Sequence, residues 1–311
     1  MSSSHTRRSI GILGGVLISV LIIVGLSWLN DTSLGELWSK LYRVDSRSLC
    51  LMIIASIGTW LLRAARLSVL FASLSFQRSL YISATHNALT RIVPARAGEL
   101  SLPVLLKQHA NVPLAEGTLT MVWLRLIEIA CLGCITAGIT LVTMIPDLIS
   151  PYLSMAVASL SLVIAMSARS ILRATLLQLG RYSKRIKALA DQLHTTHQLN
   201  RVQLILITVI TCATMLCQAL LFSLVLWSVG TDISYAYVLL GSIGVHLSGV
   251  LPAPTIGNVG THEIGWTLIY TQLGVSASAA TASAVISQWF TLLLAMLWWG
   301  LSSLMTLKIV R

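Results

Sequence analysis

Charge is what this sequence has least of. Only 10% of its 311 residues are charged, while 56% are hydrophobic, and the mean hydropathy is +0.84. A soluble domain carries about 25% charged residues, so this composition excludes a water-solvated globule and indicates a polytopic membrane protein. Acidic residues are the scarcer sign, 10 against 21 basic, for a net charge of +11. In a soluble chain that excess would point to nucleic acid. Here the basic residues cluster between apolar runs, the pattern of a cytoplasmic membrane face.

Other absences narrow the chemistry. The five cysteines, Cys50, Cys131, Cys134, Cys212 and Cys217, all lie in apolar runs. Cys131 and Cys134 have no second ligand pair, and no zinc, haem or iron–sulfur spacing occurs, so packing explains them and neither metal nor cofactor is expected. The outer-loop acids Asp31, Asp45, Asp147 and Asp232 stand singly, without the D-x-D pair of a polyprenyl-dependent glycosyltransferase. There is also no nucleotide-phosphate loop and no Ser/His/Asp order. Catalysis is therefore not expected, and an integral-membrane glycosyl or phosphoryl transferase is the weaker alternative. The apolar run from Ile10 to Leu29 follows Arg7-Arg8. It is too long for a signal-peptide core and has no small-residue cleavage site, so it reads as a first transmembrane helix.

A membrane span needs about 20 apolar residues. Full spans are expected at 10–29, 48–74, 116–145, 152–168, 203–229 and 278–307, with apolar stretches 80–110 and 234–274 broken by Pro and Gly. Each broken stretch is too short on either side of its break for two crossings. Segment 169–202 carries Arg169, Arg173, Arg181, Lys184, Arg185, Lys187 and Arg201 against Asp191 alone, which makes it cytoplasmic. Its Ile186, Leu189 and Leu193 share one helical face, as in a helix lying on the inner leaflet. Loops 146–151 and 230–233 contain no Lys or Arg and suit the outside. Arg7 and Arg8 at one end, and Lys308 and Arg311 at the other, place both termini in the cytoplasm. Loop 30–47 runs against the rule, with Lys40, Arg43 and Arg47 expected outside.

Six crossings keep this parity only if each broken stretch enters and leaves on the same side. Stretch 80–110 then dips in from the cytoplasm and 234–274 from outside. At an offset of 164, Glu99 meets Glu263, Leu100 meets Ile264, Val104 meets Leu268, Leu105 meets Ile269 and Gln108 meets Gln272. Each stretch precedes a long apolar span. The expected fold is all-α in a single transmembrane domain over 1–311, with about six full spans and two re-entrant helical hairpins arranged as inverted repeats. Its first half is 10–145 with hairpin 80–110, its second half 203–311 with hairpin 234–274, and the basic segment 169–202 joins them. Secondary transporters with this plan bind at the midplane, where broken helices meet.

Pro94-Ala95-Arg96-Ala97-Gly98-Glu99 resembles the P-G-R-x-G-E signature of the lysyl-phosphatidylglycerol synthase transmembrane region, or flippase-like domain family. Arg125-Leu126-Ile127-Glu128 is similar to that family's intramembrane R-x-x-D/E. Pro252-Ala253-Pro254, followed by Gly257-Asn258-Val259-Gly260 and Glu263, resembles its P-x-P-G-G-x-G-x-x-E. Ala95 and Asn258 stand where the family has glycines, and Thr255-Ile256 are inserted after Pro254. The resemblance covers nearly the whole chain. The soluble aminoacyl-transferase domain of full-length synthases does not follow before Arg311, so the resemblance implies lipid translocation and not aminoacylation.

A charge at the bilayer centre costs about 2.5–3.5 kcal/mol on insertion scales. Arg91, Arg96, Glu99, Arg125, Glu128 and Glu263 must therefore face one another or a wet cavity. Pro94 and Gly98 mark one hairpin tip, and Pro252, Pro254, Gly257 and Gly260 mark the other. The half-helix beginning near Gly98 aims its positive end at the break, where an anion is favoured. Arg96 with Arg91 can clamp a phosphate. Glu99, read as lying in that helix's first turn, is either a partner for Arg96 or a proton-coupled switch. Glu128 neutralises Arg125. Glu263 can take a cation or a proton, and His262 is a metal ligand or, more ordinarily, a hydrogen-bonded core residue; Asn258 completes the candidate binding set. The leading expectation is a flippase for a phospholipid or a polyprenyl-type lipid-linked substrate in the inner membrane. A non-catalytic partner of a lipid-modifying synthase is the alternative.

Overall fold

The computed structural model describes residues 45–143, 200–248 and 259–307, with positions 35, 152, 155, 156, 159, 160, 163, 174, 175 and 177–182. Among the described residues the chain is helical and contains no strand. In order, α1 is Ser46–Leu70, α2 Phe76–Ile92, α3 Ser101–Ala110, α4 Leu114–Thr143, α5 Arg201–Ser228, α6 Tyr235–Ser248, α7 Thr261–Gln272 and α8 Ala277–Leu307. A 3-10 helix, Pro94–Leu100, joins α2 to α3. The spans expected at 10–29 and over most of 152–168 lie outside the described residues, as do most of the basic segment 169–202 and the tip residues Pro252, Pro254, Gly257 and Asn258.

Helices α1, α4, α5 and α8 provide stretches of 25 to 29 residues that are long and apolar enough to cross a membrane. At 1.5 Å per residue such stretches reach about 37 Å or more, beyond the hydrocarbon thickness of about 30 Å. Polar side chains start several helices. The Asp45 carboxylate accepts the Ser48 N–H at α1. Asn200 and Gln203 exchange bonds of 2.7 and 3.1 Å as a reciprocal box at α5. The Ser276 hydroxyl accepts from Ala279 at α8.

The chain groups into two compact units, each discontinuous in sequence: Met1–Trp60, Ala84–Glu99 and Leu216–Arg311 form the first, Leu61–Ser83 and Leu100–Met215 the second. In the first unit α7 packs against both α6 and α8. Side chains on Gly241 and Gly244 of α6 would collide with Tyr270 and Ile269 of α7. Small residues let the two helices approach closely, the usual means of association where lipid removes the hydrophobic drive. The Trp266 indole N–H donates to Ser283 Oγ at 2.9 Å, tying α7 to α8. Helix α8 turns Trp289, Leu293, Leu297 and Leu304 outward, while Thr281, Ser283, Ser287 and Gln288 are buried. Apolar outside and hydroxylated inside is the polarity of a helix facing lipid.

In the second unit α3 packs against α4. Leu102 and Leu106 of α3 join Trp123 and Ile127 of α4 in its core. Two helix ends, one in each unit, are built alike. Asn111, in the left-handed region at φ 54, stops α3, and the N–H of buried Val112 reaches back to the Leu106 carbonyl at 3.3 Å. Gly274, at φ 91, stops α7, and buried Val275 reaches the Tyr270 carbonyl at 2.9 Å. Left-handed caps of this kind satisfy carbonyls that a helix end would otherwise leave open.

Candidate functional site

The break around Pro94 is real, and it is tighter than expected. Helix α2 stops at Ile92 and the chain winds as a 3-10 helix through Leu100, so the α-helical half begins at Ser101. Glu99 therefore lies before that half-helix and not in its first turn, which corrects the expectation from sequence. The cause is Gly98. Its backbone lies so close to the end of α2 that any side chain would collide with the Leu89 carbonyl oxygen and Thr90 Cα. Only glycine permits this fold-back, and it brings Glu99 over α2, with Glu99 Oε2 3.8 Å from His86 Nε2. Sequence reasoning assigned His86 no role. Arg96 lies in the 3-10 turn.

The second break lies in the same compact unit. Glu263 is in the first turn of α7 and is fully buried. Its Oε2 accepts the Gly260 N–H at 2.6 Å, and Gly260 sits at φ 98, where a side chain would be strained. Its Oε1 is buried without a hydrogen-bond partner among the described residues, as is His262 Nε2. The His262 ring lies 5.5 Å from Trp266, and the charges of Arg91 and His246 act on it. Arg91, in the last turn of α2, donates to Thr291 Oγ1 of α8 at 3.0 Å. Arg91, His262 and Glu263, far apart in sequence, are thus members of one unit.

The second unit holds the other motif. Glu128 is buried in α4, and Arg125 on the preceding turn donates to its Oε2 at 2.8 Å. The expected pair exists but has a third member: Arg66 of α1 donates to Oε1 at 2.9 Å and to Thr211 Oγ1 of α5 at 3.4 Å. Arg66 is itself buried, the charge of Arg63 also acts on Glu128, and Arg125 remains half-exposed. Arg63 and Arg66 escaped the sequence reading, though Arg-Ala-Ala-Arg inside an apolar span is the signal that intramembrane charge marks function. Two guanidiniums thus converge on one carboxylate. Among the described residues no group of three His, Cys, Asp or Glu side chains is placed to hold a metal.

Neither a curated protein nor a solved structure matches the chain. The family model described as lysylphosphatidylglycerol synthase TM region matches residues 12–298. The chain belongs to that family, and is a multi-pass membrane protein linked to lipid metabolism.

Proposed function

We propose that this member of the lysylphosphatidylglycerol synthase transmembrane family moves a phospholipid or polyprenyl-type lipid-linked substrate between the leaflets of the cytoplasmic membrane. The anionic headgroup is taken by guanidinium groups while the tails stay in the bilayer. One observation carries this reading: two guanidiniums, those of Arg66 and Arg125, converge on the single carboxylate of Glu128 inside membrane-crossing helices. Each intramembrane arginine costs about 2.5–3.5 kcal/mol to insert, and a phosphate oxyanion is the partner guanidinium binds best in a dry site.

The broken helices support the same reading. Helix α7 has 12 residues, about 18 Å, too short to cross singly. Helix α3, with 10 residues, is shorter still. At the offset of 164, Leu106 and Tyr270 are equivalent, and these are the two carbonyls that receive the Val112 and Val275 caps. That match favours two re-entrant hairpins built as inverted repeats, entering from opposite faces with both termini in the cytoplasm. The role is transport without catalysis, with a lipid-modifying enzyme as a possible partner.

The test is reconstitution in liposomes containing labelled phosphatidylglycerol or a polyprenyl phosphate, with headgroup exposure read by an impermeant quencher. Wild-type protein accelerates exposure of at least one of these lipids, Arg91→Ala loses most of the acceleration, and Cys131→Ala keeps it. No acceleration with any anionic phospholipid or polyprenyl lipid overturns the proposal.

A further inference from the structure

The first unit contains a carboxyl group that headgroup binding leaves without a task. Glu263 is 0% exposed, yet the only donors its carboxyl meets among the described residues are backbone N–H groups at its own helix start, those of Gly260 and of Glu263 itself. Its Oε1 has no partner there, and Glu263 stands in none of the ion pairs. Two further buried hydroxyls, Thr267 Oγ1 and Ser287 Oγ, are also without partners. Thr267 lies one turn from Glu263 on α7. The antiparallel register set by the Trp266–Ser283 bond carries Glu263 to the level of Ser287 on α8.

Among the described residues, no element packed against Glu263 supplies a compensating contact. Helix α8 has no titratable residue anywhere along its length. Helix α6 offers His246, whose Nδ1 lies 2.7 Å from the Ser242 carbonyl, and the phenols Tyr235 and Tyr237. Helix α7 itself carries His262 and Tyr270, the latter donating to the Val238 carbonyl. From α2 comes Arg91, held at Thr291, and beside it His86 with Glu99. The portions of α1 and α5 in this unit bring only Arg47, Cys50 and Cys217. An ionised carboxylate buried in such surroundings would cost several kcal/mol, a cost that a neutral acid avoids.

We propose that Glu263 is a proton-binding site, neutral in this conformation and ionised only when Arg91 leaves Thr291 to pair with it. Thr291 is one turn beyond Ser287 on α8, a step of about 6 Å. A phosphate headgroup held by Arg91 would keep that guanidinium from the carboxylate, so headgroup binding and protonation of Glu263 favour each other, and the proton leaves only when Arg91, free of headgroup, pairs with Glu263. This coupling rests on the headgroup reading of the preceding section; the protonation of the empty site does not.

Infrared difference spectroscopy on the reconstituted full chain at pH 7 tests the site without any lipid substrate. Wild type shows the carbonyl band of a neutral carboxylic acid, Glu263→Gln removes it completely, and Glu99→Gln leaves it in place. Should Glu263→Gln fail to fold, Glu263→Asp decides, by shifting the band's frequency while keeping its area. Replacing Na⁺ with N-methylglucamine leaves the band unchanged. A missing band, a band that survives Glu263→Gln or is lost in Glu99→Gln, no shift in Glu263→Asp, or a band that depends on Na⁺ overturns the assignment. In the liposome assay a pH gradient changes the exposure rate of wild type and not of Glu263→Gln. A gradient response that persists in the variant overturns the coupling while leaving both transport and the protonated site standing.

Discussion

Glu128 and Glu263 are the same residue, nearly equally buried at 8% and 0% exposure, and the two units treat them oppositely. Glu128 receives two guanidiniums and is locked by them to α1 and, through Arg66, to α5. Glu263 receives only backbone N–H groups from its own helix start, and its Oε1 has no partner among the described residues. A buried carboxylate surrounded by cations is a fixed point, since moving any partner strands a charge in hydrocarbon. A buried carboxyl without one is a switch, since its stable form changes with what approaches it. The second unit therefore holds its charges in place, whereas the first can exchange them.

That contrast can be broken by substitution. Glu128→Ala strands Arg66 and Arg125, and is expected to lower stability by about 3–5 kcal/mol, seen as a large fall in the unfolding midpoint in detergent. Gly98→Ala comes next. The collision with Leu89 forces the 3-10 turn off α2, a cost of about 1–3 kcal/mol, with loss of headgroup exposure in liposomes. Glu263→Gln is the smallest of the three. An amide replacing a neutral acid of the same shape costs below about 1.5 kcal/mol and leaves the midpoint close to wild type. A Glu263→Gln as damaging as Glu128→Ala would erase the distinction between the two sites.

Much of this architecture was readable in advance because the membrane imposes length. The expected spans 116–145, 203–229 and 278–307 became Leu114–Thr143, Arg201–Ser228 and Ala277–Leu307. The expected 48–74 ended early at Leu70, since Phe71 to Ser75 form a turn in which Leu74 N–H returns to the Phe71 carbonyl. Apolar content alone does not reveal where a helix stops. The break at Pro94 was legible from proline and glycine, but not its 3-10 winding, which depends on how closely Gly98 meets α2. Arg63 and Arg66 were hidden because the apolar average of their span absorbed them. The offset read from the sequence is 164, whereas α4 and α8 begin 163 residues apart. The stretch from Leu106 to the start of α4 is one residue longer than that from Tyr270 to the start of α8, and the Val112 cap reaches one residue farther back than the Val275 cap. The grouping into units was not legible at all, because it joins segments far apart in the chain.

The account rests on two broken helices opening to opposite sides of the membrane, and side-specific labelling measures that most directly. Single cysteines at Ala97 and Val259, placed in the chain with its five native cysteines replaced by alanine, would be treated in sealed vesicles with an impermeant thiol reagent applied from one side at a time. The account predicts that Ala97→Cys reacts from the cytoplasmic side and Val259→Cys from the outer side. Reaction of both from the same side would contradict it.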